Sequence, residues 1–338
     1  MKKFRRLVVA LIVVALSSPV AMAEMLEVPV GMSPVMSSAA MFIALEKGYF
    51  EKQGLKIALN PFKASGAKMT PFLASGQLFV AGGNINAGLY NAIANDIPIR
   101  LVADKGTVSP NHGYLALIVR KDHVDSGRYK GYKDLKGMSM AVTAKGVSQE
   151  IVTEMYLRKV GLTLDDIKLM TLAYQDINIA LANKSLDASV QIEPFVARAV
   201  ADGIAVRVEG NDVIYPNQQS AAIMYSPVFI EKHPEAAKKF MVAYVQGMRD
   251  YNDAVEKNKN KEEIIQILMK HTSMKDRSTY DQVVPVGLHP DGAMNLESLE
   301  SDGKWFYNHG YIDKLPDMDA IVDTSFIEYA REQLGEYK

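Results

Sequence analysis

Residues 26 to 60 constrain the fold most narrowly, because they have the pattern of a strand, a loop, a buried helix and a second strand. The first predicted strand, residues 26–30, leads through a serine-containing loop into a predicted helix at 39–47, which is apolar on almost every face. Gly48 follows as a C-terminal cap, and alternating apolar residues after Gly54 predict a half-buried strand. The order predicts a β-α-β unit.

The loop before this helix is suited to hold a polar or anionic group. A helix start presents unpaired backbone N–H groups and a partial positive charge. Ser37 or Ser38 suits the N-cap position and could share its hydroxyl with a ligand. The sequence therefore predicts a binding loop at the carboxyl end of the first strand.

The first 23 residues have the three parts of a secretory signal peptide. Basic residues stand at positions 2, 3, 5 and 6, an apolar run follows at 7–16, and Ala21-Met22-Ala23 forms a cleavage site. The apolar run is too short to span a bilayer, and the alternative is that it remains as an uncleaved anchor. We expect the chain from residue 24 onward to be exported as a soluble protein.

Charge and cysteine content exclude several classes of protein. Cleavage would leave 34 Lys and Arg against 39 Asp and Glu, a net charge of −5, which is unfavourable for binding nucleic acid. The absence of cysteine excludes disulfides, thiolate metal sites, thiol nucleophiles and a lipid anchor at the cleavage site. The six histidines lack metal-ligand spacing, so we expect no metal and no cofactor. Because a signal peptide is present and a lipid anchor is excluded, the periplasm is the expected location.

The remaining 315 residues are more than one ordinary core needs and predict two α/β lobes. Strands alternate with helices up to about residue 119, and the same alternation restarts at 138. Amphipathic helical patterns dominate from residue 234 onward. We predict a first lobe from residues 24–119 and 222–338 and a second lobe from residues 120–221.

Loop–helix junctions recur in both predicted lobes, at 33–38, 82–86 and 146–149, and a fourth at 193–195 carries an acidic residue. Ligands of open α/β sheets bind beyond the carboxyl ends of the strands, where such loops gather. Ordinary helix capping explains any one junction, but their recurrence favours a shared cleft. The sequence contains no nucleophile elbow, P-loop or dinucleotide fingerprint.

Residues 44–57, ALEKGYFEKQGLKI, resemble a signature of the periplasmic substrate-binding proteins of ABC importers for nitrate, sulfonates, taurine and thiamine pyrimidines. Further matches are DLKG at 134–137, GLTLDD at 161–166, ALANKSLDA at 180–188, and the segments 193–194 and 229–235. The resemblance covers the mature chain and is specific for the superfamily rather than for a ligand.

The resemblance implies an α/β type II periplasmic binding protein fold, in which two α/β lobes joined by two crossover strands close over one ligand. The crossovers would lie at about 115–121 and 220–226. The residues that the resemblance places in the cleft are Ser37, Ser38, Asn84, Asn86, Ser148, Gln149 and Glu193. Weaker candidates near the hinge are His112, Tyr114 and Gln218.

The function implied is that of a monomeric, non-catalytic receptor. It would capture a small organic anion or zwitterion, of the sulfonate or carboxylate class, and deliver it to an ABC permease with its ATPase. Ser37 and Ser38 favour an anionic group, whereas Glu193 inside the cleft would favour an amine or a ring N–H. A neutral heteroaromatic such as a thiamine pyrimidine is therefore the alternative ligand.

Two other functions remain open. The pyrimidine-synthase enzymes resemble this chain in outline, but they depend on a cysteine-rich motif and work inside the cell. The missing cysteines and the export signal oppose that function. A periplasmic sensor domain that partners a signalling protein is the third possibility.

Overall fold

The computed structural model describes residues 25–62 and 66–338, and it contains two five-stranded sheets flanked by helices. The strands are β1 (Leu26–Met32), β2 (Leu55–Pro61), β3 (Val80–Asn84), β4 (Arg100–Thr107), β5 (Leu115–Arg120), β6 (Ser139–Val142), β7 (Lys168–Thr171), β8 (Ala188–Ile192), β9 (Ala205–Gly210) and β10 (Gln219–Tyr225).

The described α-helices range from single turns to six turns. They are α1 (Ala39–Glu46), α2 (Tyr49–Lys52), α3 (Thr70–Ala74), α4 (Ala87–Ala94), α5 (Lys121–Asp125), α6 (Ser148–Arg158), α7 (Tyr174–Ala182), α8 (Phe195–Ala201), α9 (Asn211–Ile214), α10 (Pro227–Lys232), α11 (Pro234–Glu256), α12 (Lys261–His271), α13 (Leu296–Asn308), α14 (Met318–Ile321) and α15 (Ser325–Leu334). Short 3₁₀ helices occur at Met36–Ser38, Gly66–Met69, Tyr132–Leu135, Leu164–Asp166 and Arg277–Asp281.

The two sheets have the same strand arrangement. The first has the order β2-β1-β3-β10-β4, with β1 parallel to β2 and β3 and with β10 antiparallel to β3 and β4. The second has the order β7-β6-β8-β5-β9, with β6 parallel to β7 and β8 and with β5 antiparallel to β8 and β9. This arrangement confirms the predicted fold class of two α/β lobes.

The chain passes between the lobes twice, at residues 108–114 and 211–218. Each crossing ends in the antiparallel strand of the sheet that it enters, β5 in the second lobe and β10 in the first. The predicted lobe boundaries at 119/120 and 221/222 cut through β5 and β10. In the structure β5 lies wholly in the second sheet and β10 lies wholly in the first. An apolar run identifies a strand, but its partner strands decide the sheet to which it belongs.

Two elements near the predicted junctions extend further than their local sequence predicts. Gly82, Gly83 and Asn84 were expected in a loop, but they lie on β3 and pair with β10. The apolar run at 99–103 predicts a strand there, which continues to Thr107 as β4 because β10 pairs with it along most of its length. In both cases a strand more than 100 residues away supplies the hydrogen bonds.

Helix α1 is apolar on nearly every face because it is buried between the first sheet and α11. Six of its eight residues are buried, and it packs closely across α11. A Cβ atom at Gly247 of α11 would collide with the carbonyl oxygen of Ala40 and would lie 3.0 Å from Ala44 Cβ. Only glycine therefore permits this close approach of the two helices.

Across residues 25–62 and 66–338, no helix has both the length and the apolar character needed to cross a membrane. The predicted signal peptide, residues 1–23, lies outside the described residues.

Candidate ligand-binding cleft

A cavity lies between the two lobes, and its empty volume is about 410 Å³ including the space at its mouth. The first lobe contributes the loop after β1 and parts of β3, β4 and β10, and the second contributes the starts of β5, α6 and α7 and the end of β8. The lining residues are Ser33, Val35, Ser37, Gly66, Gly82, Gly83, Asn84, Lys105, Tyr114, Leu115, Ser148, Gln149, Tyr174, Ile192, Ser220 and Ala221. Hydroxyl and amide groups thus alternate with apolar and aromatic surface.

Lys105 is the one charged side chain among these lining residues. It projects from β4 and is only 2% exposed, and its Nζ donates a hydrogen bond to Ser37 Oγ at 2.8 Å. Burial lowers the pKa of Lys105 to about 7, although the nearby charge of Asp104 opposes that shift. The cleft therefore contains a buried ammonium that forms no ion pair with any described carboxylate.

Asp104 does not neutralise this lysine, because its carboxylate is bound elsewhere. It accepts hydrogen bonds from the backbone N–H groups of Gly106 and His289, each at 2.7 Å, and from Gln219 Nε2 at 2.7 Å. Burial raises the pKa of Asp104, and these donors oppose the rise. Successive residues of a strand face opposite sides, so Asp104 binds these donors on one face of β4 while Lys105 faces the cleft from the other.

Glycine at position 82 makes room for the lysine. A Cβ atom there would collide with Met32 Sδ and would lie 2.8 Å from Lys105 Cε, so a larger residue would displace both side chains. Gly82 and Gly83, both on β3, thus form part of the cavity wall.

Four of the seven residues predicted for the cleft line the cavity: Ser37, Asn84, Ser148 and Gln149. Ser37 Oγ contacts Lys105, and Ser148 Oγ donates to the carbonyl oxygen of Ser220 at 2.9 Å. Gln149 Oε1 accepts from the backbone N–H and the hydroxyl of Thr143, at 2.8 and 2.9 Å. Contact between these groups and a ligand stays a prediction.

Two predicted residues, Ser38 and Asn86, stabilise the cavity wall without lining it. Ser38 Oγ donates to the carbonyl oxygen of Ser33 at 2.7 Å, so Ser38 holds the loop and does not cap α1 through its side chain. Asn86 is the N-cap of α4, where its Oδ1 accepts from Leu89 N at 3.0 Å. Both side chains already have partners within the protein.

Glu193 lies outside the cavity lining and joins the two lobes at one edge of the cleft. Its carbonyl oxygen accepts from Met36 N of the first lobe at 3.2 Å. Its buried carboxylate accepts from Val284 N of the first lobe at 3.3 Å, and from Ala197 N and Arg207 of the second at 3.0 and 3.3 Å. Burial raises the pKa of Glu193 to about 7, against the effect of these donors. We call these interactions the Glu193 contact.

The opposite edge of the cleft is closed by α6. Its acidic residues accept hydrogen bonds from first-lobe aromatic residues: Trp305 Nε1 donates to Glu154 at 2.5 Å, and Tyr311 OH donates to Glu150 at 2.9 Å. The backbones also meet, since Ala87 N donates to Gly146 O and Ser148 N donates to Ile85 O. The lobes are therefore in contact on both sides of the cavity.

The three weaker candidates occupy the crossings. Tyr114 lines the cavity, whereas His112 lies outside it with Nε2 3.1 Å from Glu256. Gln218 Nε2 donates to the buried Asp302 at 3.2 Å and anchors the second crossing to α13.

Lys105, Tyr174 and Ser220 line the cavity and were missed by the sequence analysis. The available signal for Lys105 was a basic residue just beyond the carboxyl end of a predicted strand and before a glycine, where ligands of α/β sheets bind. Among the described residues, no group of three or more His, Asp or Glu side chains is placed to hold a metal ion.

Comparison with known proteins shows the same fold in several binding proteins. A curated protein of Brucella abortus, named provisionally as a binding protein, is 24% identical over 82% of this chain and 84% of its own. The periplasmic nitrate-binding protein NrtA of Synechocystis aligns with a TM-score of 0.75 and 15% identity over 92% of this chain and 90% of its own. The alkanesulfonate-binding protein SsuA of Xanthomonas axonopodis, bound to MOPS, aligns with a TM-score of 0.70 and 18% identity over 88% and 99%.

An enzyme shares the fold as well. The desulfurization enzyme DszB aligns with a TM-score of 0.64 and 14% identity over 91% of this chain and 99% of its own. At these identities the likeness shows the fold alone. A family model described as the NMT1-like family matches residues 21–269, about three quarters of the sequence, and the chain therefore belongs to the NMT1-like family.

Proposed function

We propose that this protein is a periplasmic solute-binding receptor that captures a small organic monoanion, a carboxylate or a sulfonate, and delivers it to an ABC permease. The observation that carries the proposal is the buried Lys105 ammonium in the cleft, which contacts Ser37 Oγ but no described carboxylate. A buried charge without a counter-charge is costly, and a bound anion would supply that counter-charge.

The charge balance of the cavity argues for an anion without an ammonium group. None of the described lining residues is acidic, and the carboxylate of Glu193 is bound in the Glu193 contact. The amine of a zwitterion such as taurine would therefore be buried without a partner. The single lysine matches one negative charge, and a neutral pyrimidine would leave that charge unmatched.

The rest of the wall suits a small organic anion. The hydroxyls of Ser37, Ser148 and Ser220 can bind the oxygens of the anionic group, and Tyr114 and Ile192 offer apolar surface to its organic part. Closure of the lobes over such a ligand would let a permease distinguish loaded from empty protein by shape. The predicted signal peptide supports the periplasmic location. The permease partner is supported by a Staphylococcus aureus protein of the same fold, which is named as the ligand-binding component of an ABC-type import system.

Ligand pairs that differ by one ammonium group test the proposal most directly. Ethanesulfonate is compared with taurine, and propanoate with β-alanine, by thermal shift and calorimetry, with nitrate and the neutral thiamine pyrimidine as further ligands. A ligand at about 100-fold over its Kd should stabilise the protein by about 2.7 kcal/mol. We expect the anion of each pair to bind about 100-fold more tightly than the zwitterion. Preferential binding of the zwitterions or of the pyrimidine would overturn the ligand class.

A second candidate, an acyl-transfer enzyme, is favoured by the contact between Ser37 and Lys105. A serine hydroxyl 2.8 Å from an amine whose pKa is lowered to about 7 resembles the nucleophile and base of serine–lysine hydrolases. Mass spectrometry after incubation with p-nitrophenyl acetate separates the two functions. Acetylation of Ser37 with turnover, absent from Ser37→Ala, would favour the enzyme, whereas anion binding without acylation would favour the receptor.

A further inference from the structure

A second cavity lies in the first lobe, on the other side of the segment that lines the cleft. It opens between α11 and α12, and its empty volume of about 670 Å³, which includes the space at its mouth, exceeds that of the cleft. Met36 forms part of its wall, whereas the flanking residues Val35 and Ser37 face the cleft. The two cavities are therefore separated by one short segment of chain.

The interior of this second cavity offers hydrocarbon surface. Ala254, Val255, Ile264, Ile265 and Leu268 line it from the two helices.

The tyrosines in the wall are already hydrogen-bonded. Tyr251 OH donates to Val286 O and accepts from Val286 N, at 3.2 and 2.9 Å, and Tyr280 OH lies 2.6 Å from Thr272 Oγ1. An occupant therefore finds dispersion contacts rather than polar partners inside, as in apolar cavities that bind hydrocarbons.

The mouth of the cavity carries one ammonium and one carboxylate, those of the lining residues Lys261 and Asp281. Lys261, the first residue of α12, lines the opening, and within the described residues its ammonium forms no ion pair or hydrogen bond. The acidic groups nearby are paired: Arg277 binds Asp281 and Glu262, at 2.9 and 2.8 Å. Glu263, also in the first turn of α12, lies 3.4 Å from Lys47 Nζ.

We propose that this cavity is a second ligand site, which binds a medium-chain alkyl carboxylate or sulfonate with its chain between α11 and α12 and its head group at Lys261. The apolar interior selects the chain, and the unpaired ammonium at the mouth selects an anionic head group. The site is distinct from the cleft, and it does not depend on the identity of the cleft ligand.

Calorimetric titration with octanoate tests the site, with hexanoate and 1-octanol as comparison ligands. Octanoate should bind more tightly than hexanoate by about fourfold per added methylene, because each CH₂ enters apolar surroundings. Lys261→Gln should weaken octanoate binding by about threefold and leave 1-octanol binding unchanged. Lys239→Gln, at an exposed lysine of α11, is the matched control and should change neither.

Two further variants locate the bound octanoate. Ala254→Leu fills the cavity and should weaken octanoate binding by about tenfold or more. Lys105→Met, in the cleft, should leave it unchanged. The proposal is overturned if octanoate does not bind saturably, if both Lys261→Gln and Ala254→Leu leave its affinity intact, or if Lys105→Met alone abolishes binding, since the ligand would then occupy the cleft.

Discussion

At the scale of single residues, the buried charge of Lys105 should lower the stability of the empty protein and strengthen the binding of an anion. Its pKa is lowered by burial to about 7, so the folded, ligand-free protein holds it charged below that pH at a cost in stability. The unfolded chain keeps the ordinary lysine pKa of 10.5, so this cost is fully present below pH 7 and vanishes as pH rises toward 10.5. Such a residue is expected where function, rather than folding, requires the charge.

Replacing Lys105 with methionine should therefore stabilise the empty protein and weaken anion binding. At pH 6 we expect the free energy of unfolding to rise by about 2 kcal/mol, because the buried charge is removed at similar side-chain volume. The affinity for the best anion should fall by about 100-fold. Denaturant unfolding and calorimetry measure the two effects.

Lys47→Met is the matched control for this variant. Lys47 Nζ lies 2.9 Å from Asp250, and Lys47 is not among the residues that line the cavity, so its replacement should lower stability and leave affinity unchanged. A Lys105→Met protein that is less stable than wild type, or that binds anions normally, would contradict the assigned role of Lys105.

The lowered pKa of Lys105 also predicts the pH dependence of binding. A sulfonate stays ionised throughout, so its affinity should be level below pH 7 and fall by up to about tenfold per pH unit above it. Above pH 7 the empty cleft holds a neutral amine, and each binding event must take up a proton. Calorimetry in two buffers of different ionisation enthalpy measures that uptake.

Other buried groups titrate in the same range, so the same titration in Lys105→Met is the control. Burial also raises the pKa of Glu193 and Asp302 to about 7. If the pH dependence persists in Lys105→Met, or if affinity rises with pH, the lysine is not its source.

At the scale of secondary-structure elements, the cleft depends on junctions that connect the lobes. The start of α8 reaches the first lobe through the Glu193 contact, and the start of α6 reaches α4 and α13 on the other side. Apart from Ser148, which also lines the cavity, these groups connect the lobes without lining it. They should therefore govern how long a ligand stays bound rather than which ligand is chosen.

Glu193→Gln weakens one of these connections. The amide keeps one acceptor oxygen, so the donors Val284 N, Ala197 N and Arg207 can no longer all be satisfied. We expect the anion to dissociate about fivefold faster at pH 8, with a loss of stability of about 1 kcal/mol. Stopped-flow dissociation measures the rate, and Glu231→Gln, at an exposed glutamate, is the control. An unchanged dissociation rate would show that the Glu193 contact does not hold the lobes closed.

At the scale of the whole molecule, the two lobes are joined by two crossings that meet at the hinge. The second is anchored to α13, because Tyr215 OH and Gln218 Nε2 both donate to Asp302, at 3.0 and 3.2 Å. Beyond the hinge, the lobes contact each other on either side of the cavity through hydrogen bonds and through apolar packing, in which Ile151 of α6 lies in one cluster with Leu299 and Phe306 of α13. Opening therefore requires those contacts to break while both sheets stay intact.

The single tryptophan of the chain should report this opening. Trp305 of α13 stacks on His309 and donates its indole N–H to Glu154 of the second lobe, so the interface partly shields it from water. We expect the emission of the empty protein to lie at longer wavelength and to shift to shorter wavelength when a saturating anion closes the lobes. Trp305→Phe should lose the signal, and calorimetry should still detect ligand binding. Emission that is the same with and without ligand would argue against opening at this edge.

Much of the fold could be predicted from local sequence, and particular elements show why. The apolar residues at 39–47 predicted a buried helix, and α1 spans Ala39–Glu46 with six of its residues buried. Ser37, Asn84, Ser148 and Gln149 were placed near a cleft from loop–helix junctions and family resemblance, and they do line the cavity. The role of Glu193 could not be predicted this way, because it depends on Val284, which is 91 residues away.

By itself the sequence determined the order of strands and helices, the two-lobed class and the side of the sheets on which the cleft lies, since these follow from local periodicity and chain connectivity. Only the tertiary structure decided which sheet β5 and β10 join, that Lys105 is buried in the cleft and that Glu193 bridges the lobes outside it. The physical reason is that strand pairing, burial and the pKa of an ionisable group are set by neighbours distant in sequence. The charge that best defines the proposed ligand is therefore a property of the assembled cleft and not of any motif.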